Sequence, residues 1–135
     1  MNNNNKIINE KRIVFDVVEY IIIKTPELTD TIITNTKLNK LLYYAQGLYL
    51  SYSHNFLFDA EIQAWKYGPI IPKIYFKYMD CLDKEIISKK KITTIPFNKK
   101  ITIFLDFLIK NLGKLDAYTL MQRTHKELPW LESNK

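Results

Sequence analysis

From Arg12 to Lys24 the apolar positions Val14, Val17, Val18, Ile21 and Ile22 recur at three- and four-residue spacing. That spacing lines one face of a helix, with Asp16 and Glu19 on the other. The β-branched content would suit a strand, but strict alternation fails at Val17-Val18 and again across Ile21 to Ile23, so helix is favoured. Pro26 is expected to close the segment. A linker over 27–33 leads to Thr34, a helix N-cap. Beyond it Leu38, Leu41, Leu42, Ala45, Leu48, Tyr49 and Tyr52 form a broad stripe with Lys37, Asn39, Lys40 and Gln46 between them. Gly47 inside this second helix costs about 1 kcal/mol relative to alanine and suggests a close backbone crossing.

The pattern then changes. Ile62 to Tyr67 reads as a short strand that stops at Gly68-Pro69, and Phe56 and Phe58 supply either its hairpin partner or a plug from the preceding loop. Helical spacing resumes with Ile70, Ile71, Ile74, Tyr75, Tyr78 and Met79, provided Pro72 sits in the first turn. After a lysine-rich stretch at about 82–97, Asn98 caps a helix whose face is Ile101, Phe104, Leu105, Leu108, Ile109 and Leu112. Gly113 is expected to end it in a left-handed conformation. Asp116 caps a last short helix bearing Ala117, Leu120, Met121 and Thr124, and Glu127-Leu128-Pro129-Trp130 breaks it. The sum is a mainly α fold of about five helices with a small β element. Residues 1–10 read as a flexible tail and 11–135 as a single domain with a basic loop at about 82–97.

Composition supports a folded chain, because 135 residues with 47% hydrophobic and 25% charged side chains can bury a core without staples. The single cysteine, Cys81, cannot close an intramolecular disulfide, so a reducing cytoplasm is the expected compartment. The apolar run Ile13 to Ile23 contains Asp16 and Glu19 and falls short of the roughly 20 residues a bilayer crossing needs. No secretory signal pattern precedes it. The net charge of +6 would ordinarily point to nucleic acid. Most of it, however, sits in one stretch, where Lys84, Lys89, Lys90, Lys91, Lys99 and Lys100 face Glu85 alone. Arginine, the residue that reads guanine edges bidentately, is limited to Arg12 and Arg123, so no specific nucleic-acid partner is expected.

Catalytic templates are missing. There is no G-x-S-x-G, no H-E-x-x-H and no phosphate-cradling glycine loop. Cys81 with His54 or His125 would make a nucleophile–base pair only through tertiary proximity, and the Asp59/Glu61 and His125/Glu127 pairs are ordinary surface neighbours. No catalytic, metal or cofactor residues are assigned. Among the aromatics, Tyr49, Tyr52, Phe76 and Phe104 read as core or near-core. Trp65, Tyr67 and Trp130 lie beside turns, as plugs or interface anchors, and the bulk of Trp65 favours burial.

Three stretches carry a family resemblance. They are Lys37-Leu38-Asn39-Lys40-Leu41-Leu42-Tyr43-Tyr44-Ala45-Gln46-Gly47; Phe58-Asp59 followed by Ala64-Trp65-Lys66-Tyr67-Gly68-Pro69-Ile70-Ile71-Pro72-Lys73-Ile74-Tyr75; and Thr124-His125-Lys126-Glu127-Leu128-Pro129-Trp130. In this order and spacing the chain resembles the Panacea domain, the family that includes SocA-like and phage-associated GepA-like proteins. The resemblance implies a mostly helical antitoxin that binds and neutralises a protein toxin and has no reaction of its own. One branch of the family implies a further role as an adaptor that delivers the toxin to an ATP-dependent protease. A phage or mobile-element factor that inhibits another host protein, and a nucleic-acid-binding regulator, stand as alternatives. Mapped onto this chain, the candidate partner-site residues are Lys37, Lys40, Tyr44, Gln46, Trp65, Lys66, Tyr67, Gly68, Pro69, Tyr75, Thr124, His125, Pro129 and Trp130. The last four are expected to clasp the turn around Tyr67. Family members often continue past the Pro-Trp motif, so a chain stopping five residues after Trp130 reads as a minimal domain.

Overall fold

The computed structural model describes residues 3–66, 68–81, 83–88, 95, 97–116, 118–120 and 122, with side chains of the first helix from Val14 onward. Helix α1 spans Asn3–Thr29 and α2 spans Asn35–Ser53. Strand β1 (Gln63–Trp65) pairs with β2 (Gly68–Ile70), α3 follows at Pro72–Lys77, a 3₁₀ turn occupies Met79–Cys81, and α4 runs over Lys99–Leu112. The fold is mainly α with a small β element, as the periodicity predicts.

Helix α1 takes in residues 3–10, which the sequence pattern leaves as a tail, and it runs through Pro26 instead of stopping there. A proline in the last turn forgoes one backbone hydrogen bond. Here that turn is held by Thr29, whose hydroxyl donates to the Thr25 carbonyl (2.7 Å), and by Asp30, whose N–H reaches the Pro26 carbonyl (3.0 Å). The predicted stripe Val14, Val17, Val18, Ile21 and Ile22 is buried throughout.

Thr34 caps α2 as expected, its hydroxyl accepting from the Lys37 N–H. The far end closes on His54, which the sequence pattern does not mark as a cap, in the left-handed region at φ 62°. The hairpin partner of β1 is Gly68–Ile70 and not the Phe56/Phe58 segment, so Gly68-Pro69 begins a strand instead of ending one. Gly68 makes this possible at φ 128°, a backbone conformation closed to side chains. Phe58 is a buried plug, whereas Phe56 is exposed. Pro72 occupies the first turn of α3, where its missing N–H costs nothing.

Asn98 caps α4 by accepting from the Ile101 N–H (2.9 Å). Gly113 ends it, yet at φ −64° it is right-handed, which corrects the left-handed expectation. Its need for glycine is spatial. A Cβ there would stand 2.5 Å from the Ile109 carbonyl oxygen and 3.2 Å from the Thr25 methyl carbon of α1. Asp116 then opens the next turn, accepting from the Thr119 N–H (2.7 Å), and Leu120 is buried.

Helix α2 is the centre of the molecule. It packs against α1, β2, α3 and α4, so every residue from Lys37 to Gly47 is buried. Lys37, Asn39, Lys40 and Gln46, which lie between the stripe positions in the sequence, are therefore interior and not on an accessible partner face. The first three turns of α2 are enclosed on all sides, and the exposed positions begin at Leu48. Three contacts pin the basic segment on the α1–α2 connection and on α1: the Ile86 N–H donates to the Ile33 carbonyl (2.8 Å), the Ser88 hydroxyl donates to the Glu19 carboxylate (2.5 Å), and Phe97 packs edge-on against Tyr20 at 5.7 Å. Lys89, Lys90 and Lys91 lie outside the described residues.

Candidate functional site

The polar residues of the α2 motif reach outward along their own helix and tie the surrounding segments to it. Asn39 donates to the carbonyl and the side-chain oxygen of Asn35 (2.9 and 3.0 Å), while its own Oδ1 accepts from the Ile71 N–H (2.8 Å). Asn35 in turn donates to the Tyr75 carbonyl (2.9 Å). The pair therefore fixes the junction between β2 and α3. Gln46 does the same for the loop before β1, accepting from the Leu57 and Phe58 N–H groups and donating to the Phe58 carbonyl. Lys37 Nζ donates to the Thr31 hydroxyl and the Ile32 carbonyl, both at 3.1 Å, and Thr31 donates onward to the Gly113 carbonyl (2.9 Å). The ends of α1 and α4 and the start of α2 thus share one network.

Burial lowers the Lys37 pKa, opposed by the nearby Asp116 carboxylate. It lowers the Lys40 pKa with no such opposition. Both ammonium groups belong to side chains only 5% and 3% exposed, so neither offers a broad contact surface to a macromolecule. Tyr44 is buried too, edge-on to Tyr43 at 6.0 Å.

The accessible part of the motif lies on the hairpin and α3. Trp65 is 36% exposed, which corrects its expected burial. As the second residue after Gln63 it shares that side of the strand, and its indole N–H donates to the Gln63 side chain (2.9 Å). Its ring meets Tyr75 at 5.2 Å and Phe76 at 6.0 Å, and Tyr75 meets Phe76 at 5.8 Å. Phe76 is 55% exposed, so it belongs to this surface and not to the core. One turn of α3 also carries Lys73 and Lys77. Their ammonium groups lie 5.8 and 5.1 Å from the ring centre of Phe15 on α1, and Lys77 lies 5.5 Å from Tyr78. The result is an aromatic surface edged with cations, in which each ring is held by a neighbour before any partner arrives.

The sequence-predicted residues therefore separate. Trp65 and Tyr75 come together in this surface, with Lys66 exposed beside them, and Gly68 and Pro69 are buried behind it in β2. Lys37, Lys40 and Gln46 are interior. Tyr67, Thr124, His125, Pro129 and Trp130, and with them the expected clasp, lie outside the described residues. Sequence reasoning missed Phe15, Lys73, Phe76 and Lys77 as surface partners, although the three- and four-residue spacing from Lys73 to Phe76 and Lys77 already places these on one helical face.

Nothing in the surface arranges a nucleophile against a base, and among the described residues no group of three or more His, Cys, Asp or Glu is gathered to hold a metal. No helix among the described residues is long and apolar enough to cross a membrane. What the arrangement offers is adhesion.

Comparison with known proteins bears on the same residues. Positions 38–131 match the family described as "Antitoxin SocA-like, Panacea domain". Among curated proteins, the chain is 30% identical over 112 residues to Antitoxin SocA of Caulobacter vibrioides (strain NA1000 / CB15N). That alignment covers 75% of this chain and 60% of the relative, so the chain spans well under the full length of the protein it resembles. No solved structure matches. With the family match covering the central helix, the hairpin and α4, and reaching beyond the described residues at its end, the chain belongs to the SocA-like Panacea domain family.

Proposed function

We propose that this chain is an antitoxin that neutralises a protein toxin by direct, stoichiometric binding in the cytoplasm. Family membership over residues 38–131 carries the reading. The group formed by exposed Trp65 and Phe76 with half-buried Tyr75 supports it, because clustered aromatics are the residue types that anchor protein interfaces, here beside Lys73 and Lys77. In this reading Trp65, Lys66 and Tyr75 touch the toxin, joined by Tyr67 and the Thr124–Trp130 motif. Lys37, Lys40, Tyr44, Gln46, Gly68 and Pro69 hold the surface in shape. Delivery of the bound toxin to an ATP-dependent protease would be a second activity, visible as a shortened toxin half-life in cells.

Co-expression with the protein encoded beside this chain tests the proposal. Growth arrest by the neighbour should be relieved by wild type and not by a Trp65→Ala/Phe76→Ala double variant that remains folded at the growth temperature. A neighbour that is harmless alone, or rescue that is indifferent to the double variant, would count against the reading and its surface respectively.

A further inference from the structure

A second surface lies between the C-terminal half of α2 and the outer face of α4. The two helices enclose a groove of about 660 Å³. Leu48, Tyr49 and Tyr52 form one wall, and Ile103, Phe104 and Phe107 the other. Its apolar residues are not covered by the rest of the described fold, since Tyr52 is 77%, Ile103 58% and Phe107 66% exposed. Large aromatics left this open mark a binding surface more often than a packing defect.

Among the described residues, the charged side chain that lines the groove is a lysine. Lys100 lines it, and Lys99, Lys110 and Lys114 are exposed along or just beyond α4. No Asp or Glu is among the lining residues. The one carboxylate of α4, Asp106, is turned toward α1, where it accepts the Tyr20 hydroxyl (2.5 Å). Helix α2 has no acidic residue at all. An occupant that buries apolar side chains here therefore meets Lys100, with Lys99 and Lys110 exposed on the same helix, and no carboxylate among the described lining residues. The lining of α4 runs from Lys100 to Leu112, about 18 Å at 1.5 Å per residue, which matches roughly three turns of a third helix.

We propose that this groove binds an amphipathic helix of a partner protein, with apolar anchors at helical i, i+4, i+7 spacing and Asp or Glu on the flanks that face the lysines. This is a different surface from the Trp65–Phe76 group. It stands on the chemistry of the groove and does not need the partner to be a toxin.

The test uses the full chain and a fluorescein-labelled synthetic peptide of about 16 residues, leucine at the anchor positions and glutamate on the flanks, with a lysine-flanked peptide of the same anchors as its counterpart. Anisotropy should show saturable binding of the acidic peptide near 10 μM or tighter, roughly the affinity of a small apolar contact of this kind. Phe107→Glu should weaken it at least about tenfold. Ile103→Glu serves as the second variant should the first lower the folding midpoint. Lys100→Glu combined with Lys110→Glu should reverse the preference between the two peptides.

Absence of binding up to about 1 mM, equal affinity for the two peptides, or indifference to both groove variants would overturn the proposal. So would tighter binding of a single-stranded oligonucleotide than of the acidic peptide. Self-association abolished by Phe107→Glu, with no peptide binding, would make a second copy of the chain the occupant and also overturn it. The readout involves no toxin, so toxin neutralisation and groove binding can fail separately.

Discussion

Lys40 shows how the α2 motif trades stability for something else. Its side chain is 3% exposed, and burial lowers its pKa. The folded state therefore disfavours the charged form that the unfolded chain carries. That penalty is complete below the folded-state pKa and shrinks as pH rises toward the unfolded value of 10.5. Lys40→Met should accordingly raise the urea midpoint at pH 7, by the equivalent of about 1–2 kcal/mol, and the gain should narrow in alkaline solution. Equal midpoints at pH 7 would show that the ammonium is solvated in place.

Tyr78 has the opposite sign. Burial first, and then the Glu19 carboxylate whose Oε1 lies 3.5 Å from its hydroxyl, raise its pKa to about 12. Its contribution is whole below the unfolded value of 10.0 and is lost as pH climbs through about 12. Tyr78→Phe should flatten the alkaline limb of the stability curve and leave the neutral region nearly alone. A limb of unchanged slope would assign alkaline unfolding to other groups, Tyr20 first, since burial and Asp106 raise its pKa as well.

Among the aromatics, Trp65→Ala should cost only about 1 kcal/mol, because one side of the indole faces solvent and the other rests on Tyr75 and Phe76. Chemical denaturation reads this directly. A loss of several kcal/mol would return the indole to the core.

At the scale of elements, the helix faces were legible in the sequence because their periodicity is simple. The stripes of α1 and α4, the caps at Thr34, Asn98 and Asp116, and the first-turn place of Pro72 all follow from local spacing. What was not legible depended on the neighbours of each element. A cap at Gly113 looks left-handed from sequence, but the close approach of α1 supplies a different reason for glycine. Gly113→Ala should therefore destabilise by about 1–3 kcal/mol through overpacking against Thr25 and the Ile109 carbonyl.

Left-handed residues close α1 at Asp30 and α2 at His54, and His54→Gly should raise the thermal midpoint by the equivalent of up to about 1 kcal/mol by relieving a strained backbone. Opposite signs for Gly113→Ala and His54→Gly are the expectation. Two stabilising effects would mean that backbone preference, and not space, governs both ends.

At the scale of the whole molecule, α2 explains why part of the site stayed hidden. A helix read alone divides into an apolar stripe and a polar remainder, and Lys37, Asn39, Lys40 and Gln46 fall in the remainder. Only once α1, β2, α3 and α4 surround it do Lys37, Asn39 and Gln46 become the hydrogen-bond centre that holds the hairpin and the helix ends, with Lys40 buried among them. By the same logic Tyr52 was read into the core, whereas enclosure ends before it and leaves it on a groove wall. Ile103 and Phe107, an i, i+4 pair off the buried face of α4, were a signal in plain view of a second apolar face. The fold thus follows from local pattern, and the division of its motif into interior scaffold and exposed surface follows from topology.

The central claim, the proposed neutralisation of a protein by direct binding without a reaction, is tested most directly by titrating the purified chain into a fixed concentration of the neighbouring gene's product, if that product arrests growth, well above their dissociation constant. The toxin's activity should fall linearly and reach its floor at a fixed molar ratio, with a complex of that ratio seen by light scattering. Full inactivation at a small fraction of that ratio, or inactivation with no complex formed, would make the chain a catalyst and contradict the account.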